Sequence, residues 1–320
     1  MKQCVDFRSN THKPNTESQS SDFCVCEAGF YLPEGGTECA TCPLDTYCPG
    51  TNNDKFSCPA NSASLASSEL ATSCNCNMGY TGENGQACDA CEAGKFKTTA
   101  GPQACTDCGQ GKFSEEVGKS TSDCAGCEKG KANADFGAVS CDPCERGTFS
   151  NSIGLTVCND CLRGKFAELI EATHCDDCTG GSYADDTGSF ICKECSKGKF
   201  STSTAATSEN TCDSCGGGTF SDSVGSMECT ECLGGKFSTA ILATSDETCE
   251  PCQAGKFSNA LAAIACDDCV QGKYSTTLGA TSSATCTDCG AGKYQMNFGA
   301  VDASACTKCP VGKSKAAPVA

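Results

Sequence analysis

The chain has 320 residues, of which 35 are Cys, 35 are Gly and none is Trp, and its formal net charge is −17. Its large aliphatic residues are too scarce for the two or three conventional cores that this length would ordinarily hold, and its cysteine content is typical of disulfide scaffolds. The acidic balance argues against nucleic acid and anionic membranes as partners.

The first ninety residues carry cysteines at irregular spacings. Cys24-Val-Cys26-Glu-Ala-Gly29-Phe30-Tyr31, followed by Cys39, has the spacing of the second half of an EGF-like module, which we assign to residues 1–41. Farther on, Cys58-Pro-Ala-Asn-Ser leads to Cys74-Asn-Cys76-Asn-Met-Gly79-Tyr80. This second pattern resembles the cysteine-rich region of ephrin receptors, and we assign residues 42–90 to irregular modules of that kind.

One motif then recurs along the rest of the chain. It is Cys-x-x-Cys, two residues, Gly, usually Lys, then Phe or Tyr, as in Cys105-Thr-Asp-Cys108-Gly-Gln-Gly111-Lys112-Phe113. The leading cysteines of the motif stand at 88, 105, 124, 141, 158, 175, 192, 212, 229, 249, 266, 286 and 306. We divide residues 91–308 into twelve such modules and regard residues 309–320 as the start of a further, incomplete one.

These copies resemble the ephrin-receptor-like repeats of many large protist surface proteins, and more loosely the smallest modules of TNF-receptor ectodomains. The resemblance implies a secreted or cell-surface protein with short strands and turns, and it brings no family activity to transfer. No ligand-binding domain, transmembrane helix or kinase accompanies the repeats here.

The predicted fold class is small and disulfide-rich, mostly irregular with β-hairpins. Because the period is short and regular, we expect an elongated rod of tandem single-disulfide modules, each touching mainly its neighbours. One buried aromatic stabilises a module by about 2 to 3 kcal/mol, far less than the cost of ordering it. Disulfides and stacking must supply the rest.

Pairing is proposed from cysteine order, since sequence alone does not fix connectivity. The second Cys of each Cys-x-x-Cys closes with the first Cys of the next, which makes the intervening Cys-x-x-Cys a two-residue hinge. Crossed pairing of Cys42 with Cys58 and of Cys48 with Cys74 would also satisfy those four residues. Cys309 is left unpaired. The proposed pairs are Cys4 with Cys24, Cys26 with Cys39, Cys42 with Cys48, Cys58 with Cys74, Cys76 with Cys88, Cys91 with Cys105, Cys108 with Cys124, Cys127 with Cys141, Cys144 with Cys158, Cys161 with Cys175, Cys178 with Cys192, Cys195 with Cys212, Cys215 with Cys229, Cys232 with Cys249, Cys252 with Cys266, Cys269 with Cys286, and Cys289 with Cys306.

The second Cys of each Cys-x-x-Cys is called the opening cysteine of its module. Two residues at fixed distances after it are predicted to shape the module. The Gly three residues on, such as Gly94 or Gly255, is expected to take a positive φ or to let another chain segment approach closely. The aromatic residue five on is expected to form the small core of its module. The Cys127 module departs from this pattern, with Ala132 at the aromatic place and Phe136 four residues later, and we expect a local bend or altered contact there. The core aromatics are Phe96, Phe113, Phe149, Phe166, Tyr183, Phe200, Phe220, Phe237, Phe257, Tyr274 and Tyr294.

Charged residues recur at two further places. Lys follows the Gly in most modules, at 95, 112, 165, 199, 236, 256, 273 and 293. An acidic residue precedes the second Cys of many Cys-x-x-Cys pairs, at 107, 160, 177, 194, 231, 268 and 288. These rows are either a solvated face with weak ion pairs, complementary rows that set the register between laterally associated copies, or carboxylates bridged by calcium.

Longer loops share Ala-Thr-Ser, as at Ala206-Thr207-Ser208, and a Thr before the closing Cys. We expect exposed hairpin tips there, decorating one face, and regard them as candidate sites for O-linked sugar. No ordinary N-glycosylation sequon is present.

Several functions are excluded or disfavoured. Cys-x-x-Cys also builds zinc and iron–sulfur sites, but the evenly spaced pairs share only two histidines, His12 and His174. We therefore predict no metal, no cofactor and no catalytic residue. Dependence on disulfides places the protein outside the cytosol, extracellular or at the cell surface. No membrane-inserting stretch is present, and we expect a secretory signal upstream of Met1.

Two functions remain. The first is a structural component of an extracellular filament, surface appendage or matrix, whose partners are further copies of itself or other extracellular proteins. The second is the stalk or ectodomain of a receptor or adhesin that binds a protein or glycan ligand. That alternative predicts one divergent patch, in residues 1–90 or in the Cys127 module.

Overall fold

The computed structural model describes residues 11–12 and 25–312. Within these ranges the secondary structure consists of two-residue β-strands and short 3-10 turns, without any α-helix. The strands pair two by two into small sheets. The predicted fold class, a disulfide-rich chain of small β-hairpins, is confirmed.

Each sheet is one hairpin. The paired strands are, in chain order, Thr11–His12 with Val25–Cys26, Phe30–Tyr31 with Ala40–Thr41, Thr46–Tyr47 with Phe56–Ser57, Ser62–Ala63 with Asn75–Cys76, Tyr80–Thr81 with Asp89–Ala90, Lys95–Phe96 with Thr106–Asp107, Lys112–Phe113 with Ala125–Gly126, Lys131–Ala132 with Asp142–Pro143, Thr148–Phe149 with Asn159–Asp160, Lys165–Phe166 with Asp176–Asp177, Ser182–Tyr183 with Lys193–Glu194, Lys199–Phe200 with Asp213–Ser214, Thr219–Phe220 with Thr230–Glu231, Lys236–Phe237 with Glu250–Pro251, Lys256–Phe257 with Asp267–Asp268, Lys273–Tyr274 with Thr287–Asp288, and Lys293–Tyr294 with Thr307–Lys308. The 3-10 turns are Ala71–Ser73, Glu209–Thr211, Asp246–Thr248, Ser283–Thr285 and Ala303–Ala305.

The residues inside each Cys-x-x-Cys form a strand. Thr106 and Asp107 pair antiparallel with Phe96 and Lys95, and the register repeats in the Cys252 module, where Lys256 faces Asp268. The expected two-residue hinge is therefore wrong, because main-chain hydrogen bonds hold both residues against the first strand of the hairpin.

Sixteen disulfides occur in the described part of the chain. They are Cys26 with Cys39, Cys42 with Cys48, Cys58 with Cys74, Cys76 with Cys88, and then each opening cysteine from Cys91 to Cys289 with the next closing cysteine, ending at Cys306. The structure thus has the sequential pairs at Cys42 and Cys58, not the crossed ones. The proposed pair of Cys4 with Cys24 lies outside the described residues.

Successive modules are joined by main-chain hydrogen bonds. In the Cys195 module, the amide of Gly198 donates to the carbonyl of Ser221 in the next module at 2.9 Å, and Ser201 donates to Ser226 at 3.1 Å. In return, the amide of Gly225 donates to the carbonyl of Cys195 at 2.8 Å. A two-stranded hairpin alone is marginal in water, so these bonds and the cystine supply what the strands lack.

Contacts also join modules that are separated by one module in the sequence. Gly198 has a φ of +78°, and a Cβ at this position would lie 2.5 Å from the carbonyl oxygen of Leu242, two modules farther on. Both roles predicted for this Gly are confirmed, since it combines a positive φ with a close approach of backbone. The expectation of contacts mainly between immediate neighbours was incomplete.

The interior is built mainly from sulfur and small side chains. Opening cysteines such as Cys108 and Cys195 are fully buried, and in most modules the residue after the aromatic is small and buried, for example Ser150 or Ala184. Of the predicted core aromatics, Tyr183 and Phe220 are buried, whereas the other nine are half-buried. The aromatic residue is thus one wall of each small core.

The longer loops contribute an alanine to that core. Tyr183 packs with Ala206 and the Cys195–Cys212 cystine, and Phe220 packs with Ala243 and the following cystine. Ala280 and Ala300 are buried at the same place in later modules. The prediction of exposed tips was therefore wrong for the alanine of Ala-Thr-Ser, although the threonine after it is exposed.

Two compact units can be distinguished. The first comprises Met1–Glu145, Phe149–Asn159 and Glu171–Thr173, and the second comprises Arg146–Thr148, Asp160–Ile170 and His174–Ala320. Nowhere in the described ranges is there a helix long and apolar enough to cross a membrane.

Candidate functional site

The repeated lysines and acids meet across the hairpins. Because the residue after Gly pairs with the residue before the next opening cysteine, Lys95 faces Asp107, Lys165 faces Asp177 and Lys256 faces Asp268. Lys256 Nζ lies 2.6 Å from Asp268 Oδ1, and Lys95 Nζ lies 3.8 Å from Asp107 Oδ1. The basic row and the acidic row are therefore neutralised, at these modules, inside one chain.

The longer modules differ among themselves in this pairing. Lys273 still reaches Asp288, at 3.5 Å, but Lys199 faces Ser214 across its hairpin. Its ammonium bonds instead to Glu209, in the 3-10 turn, at 2.8 Å. All these groups are substantially exposed, so each pair is worth at most about 1 kcal/mol.

One ion pair has reversed polarity. In the Cys178 module the Lys is on the second strand, and Lys193 donates to Asp185 at 2.6 Å and contacts Asp186 at 3.4 Å. The hydrogen bond from Lys193 holds the pKa of Asp185 below its ordinary value. The same bond raises the pKa of Lys193.

Lys97 is a charged residue that sequence analysis did not single out. It occupies the place of the small buried residue after the aromatic, is only 3% exposed, and donates to the carbonyls of Tyr80 and Gly101. Burial lowers the pKa of Lys97 below its ordinary value. The signal available in the sequence was a long cationic side chain at a position held by Ser, Ala or Asn in the modules from Cys108 to Cys269.

A groove of about 620 Å³ lies in the second unit. Its polar lining includes Asp176, Asp177, Glu194, Thr179 and Ser182, and its apolar lining includes Phe166 and Ile191. Its only sulfur, that of Cys192, is bonded to Cys178. Among these lining residues the groove offers carboxylates and hydroxyls without a nucleophile paired to a base.

Cysteine chemistry is uniform elsewhere. Every cysteine from Cys26 to Cys306 is disulfide-bonded, whereas Cys309 is free and half-buried. No group of three His, Cys, Asp or Glu side chains in the described ranges could share a metal ion.

The Cys127 module keeps its hairpin in the common register, with Ala132 buried and Phe136 exposed.

The chain was compared with known protein families and curated proteins. The family described as tyrosine-protein kinase ephrin type A/B receptor-like matches residues 130–178, 164–212, 207–248 and 240–286. Cysteine repeat modular protein A of Toxoplasma gondii is 29% identical over 107 residues, covering 29% of this chain and 3% of that protein. Cysteine repeat modular protein B of the same organism is 32% identical over 79 residues, covering 24% of this chain and 1% of that protein.

These matches are to cysteine-repeat and receptor-like extracellular families rather than to families of enzymes. The chain spans only a few per cent of the length of the two relatives. Residues 130–286 are tandem ephrin-receptor-like cysteine-rich repeats, and the chain is an extracellular protein of tandem cysteine-rich repeats.

Proposed function

We propose that the chain is a structural component of an extracellular filament, surface appendage or matrix, in which copies associate laterally or end to end. The observation that carries the proposal is the bonding of each module to the next through main-chain groups, as between Gly198 and Ser221. Main-chain donors and acceptors are the same in every module. The array can therefore be extended without depending on any one side chain.

The interior has the chemistry that an extracellular load-bearing element needs. Its cystines persist in oxidising surroundings, and local opening of one module must break bonds to modules on either side. The partners in this proposal are further copies or other extracellular proteins. Exposed threonines such as Thr207, Thr244 and Thr281 are the candidate sites for O-linked sugar.

Electron microscopy of native material tests the proposal. We expect regular polymers in buffer without reductant, and their loss after treatment with a reductant and alkylation of the thiols. A sample alkylated without prior reduction is the control, because it blocks Cys309 and leaves the cystines intact. Unassociated single particles at high concentration in buffer without reductant would contradict the proposal.

The stalk of a receptor or adhesin is the second candidate. It is favoured by the side-chain contacts of the irregular region, where Tyr47 stacks on Phe56 with ring centroids 5.4 Å apart and the Lys55 ammonium lies 4.8 Å from the Tyr31 ring. An irregular surface of this kind suits one specific protein or glycan ligand better than a repeated one does. Single particles that bind an extracellular ligand through residues 1–90 would favour this candidate.

A further inference from the structure

Alternate modules of the second unit expose large apolar side chains at two fixed places, whereas the intervening modules do so only at the first of them, as at Ile241 and Leu278. Each of the alternate modules has one such residue four positions after its aromatic and a second three positions later. The pairs are Val224 with Met227, Leu261 with Ile264, and Phe298 with Val301, so that each position recurs every 37 residues. Their exposed fractions run from 50% to 62%. We call these six residues the apolar strip.

The three modules that carry the strip contact one another directly. A Cβ at Gly218 would collide with the carbonyl of Ala262 in the next of them, and a Cβ at Gly255 with that of Gly299. Ile264 lies along this contact, since a Cβ at Gly217 would be 3.0 Å from Ile264 Cγ2, and Met227 lies at the equivalent contact with the preceding Cys178 module, where a Cβ at Gly180 would be 3.2 Å from Met227 Sδ. The strip therefore continues from module to module.

The intervening modules show that folding does not require a large apolar side chain at the second of these places. At the place of Met227 and Ile264 they carry Thr207, Thr244 and Thr281. The methyl group of Thr281 lies less close to the equivalent glycine, 4.0 Å from where a Cβ of Gly234 would be. Because modules with threonine at this place form the same hairpin, the exposed Met, Ile and Val of the other modules need another explanation.

We propose that the apolar strip is the surface through which a second copy of this chain docks, strip against strip. A partner that covers all three pairs must repeat with the same spacing, and another copy does so by construction. Large apolar side chains expose on the order of 150 Å² each, so six that are about half exposed present roughly 500 Å². A standard interface takes about 800 Å² from each partner, a little over half of it apolar.

The effect of salt distinguishes association through the apolar strip from association through charged groups. The repeated lysines already bond to acids within their own chain, as Lys256 does to Asp268, and copies with a net charge of −17 repel each other. Salt screens that repulsion and leaves apolar burial intact. Association through the strip should therefore strengthen as salt rises, whereas association through complementary charged rows would weaken.

Sedimentation equilibrium of the full chain tests the proposal, with Cys309→Ser in every sample to exclude thiol-linked dimers. The strip variant is Met227→Thr with Ile264→Thr, and the matched control is Ile241→Thr with Leu278→Thr in the intervening modules. We expect the strip variant to raise the dissociation constant by about tenfold or more. The control should stay within about twofold of the parent, and higher salt should tighten binding of both parent and control.

This inference rests on the proposed function, and the outcomes separate the two. If the parent associates and both double variants associate equally well, or salt weakens the parent, the strip is not the surface and the structural proposal stands. A parent that stays monomeric to about 100 µM overturns the docking of copies and leaves the strip to a partner of another kind. Should the strip variant melt early, Val224→Thr with Leu261→Thr replaces it, since Thr187 already occupies that position in the Cys178 module.

Discussion

The irregular region, residues 25–90, and the regular array, residues 91–308, build the same module by different means. In the array, Gly three residues after the opening cysteine takes the positive φ. In two modules of the irregular region the same place is held by Asp45 and Asn61, with φ of 61° and 59°, while Gly29 and Gly79 hold it in the other two. Asp and Asn tolerate this conformation, but at a cost that Gly does not have.

Side chains also supply hydrogen bonds between modules of the irregular region. The amide of Cys26 donates to Asn53 Oδ1 at 2.9 Å, and Asn61 Nδ2 donates to the carbonyl of Cys88 at 2.9 Å. In the array the corresponding bonds between modules run from main chain to main chain, as from Gly198 to Ser221. Main-chain bonds also join the irregular modules, as from Gly29 to Cys48, so the irregular region adds these side-chain bonds to a bonding scheme that it shares with the array.

This difference indicates which residues of the array can change without changing the fold. Because its modules are held largely by main-chain groups, residues at the loop tips can vary in their surface chemistry, as Met227 and Ile264 do against Thr244 and Thr281 at the same place in the other series. A repeat of this kind can acquire a binding surface without changing its fold.

Removing a cystine should lower local stability more than any other change proposed here. The loss should be larger for a cystine of the array than for one of the irregular region. Cys232→Ala with Cys249→Ala opens a loop of sequence separation 17, whereas Cys42→Ala with Cys48→Ala opens one of separation 6. We expect local stability to fall by about 3 kcal/mol for the Cys232 and Cys249 variant and by about 2 kcal/mol for the Cys42 and Cys48 variant. Amide hydrogen exchange of the affected module measures each loss. Equal losses would mean that loop length does not set the contribution.

Glycine replacement separates close approach from backbone conformation. Gly198→Ala adds a Cβ 2.5 Å from the Leu242 carbonyl at a positive φ, and we expect a loss of about 2 kcal/mol or more. Gly279→Ala is the control, because φ is also positive there but the nearest atom would be 3.7 Å away. Its loss should stay near 1 kcal/mol. Amide hydrogen exchange measures both losses of stability. Similar losses at both sites would show that the close contact with Leu242 does not contribute.

Asn53→Ala tests the dependence of the irregular region on side chains. It leaves the buried amide of Cys26 without its acceptor, which should cost about 1 to 2 kcal/mol. Asn52→Ala is the neighbouring control, since its side chain bonds only to exposed Asp54, and it should change stability by less than about 0.5 kcal/mol. Exchange at the Cys26 amide reports the result directly. Unchanged protection of that amide would show that the side chain is dispensable.

Lys256→Gln should have a small effect that salt removes. It breaks the exposed pair with Asp268, worth about 0.5 kcal/mol or less at low ionic strength. Lys112→Gln is the control, because Lys112 faces Gly126 across its hairpin. Thermal melts at low and high salt compare the two variants. A loss that persists at high salt would point to packing of the lysine stem rather than to charge.

Acidification should have the smallest effect. Hydrogen bonding by Lys193 lowers the pKa of Asp185, so the stabilisation from this pair is complete above about pH 4 and is lost as pH falls through the lower pKa of the folded state. The melting temperature should therefore be flat from about pH 7 to 5 and fall slightly below about pH 4. A steep loss between pH 7 and 5 would require a titrating group other than Asp185.

The sequence by itself determined the hairpin class, the role of the repeated glycine and the extracellular, cysteine-rich character of the chain. Those conclusions depend on spacing, and spacing is local. The sequence pattern also marked the lysine and acid rows, but not that they meet within one hairpin, because register depends on which strands pair.

Only the tertiary structure decided how modules touch beyond their neighbours. The approach of Gly198 to Leu242 and the packing of Ala206 on Tyr183 join residues of different modules, and no pattern inside one module encodes them. The structure alone also showed that alternate modules stack directly, so that Met227 and Ile264, 37 residues apart, belong to one surface. The physical reason is that a contact between repeats is set by how their backbones pack, and a one-dimensional period does not specify that packing.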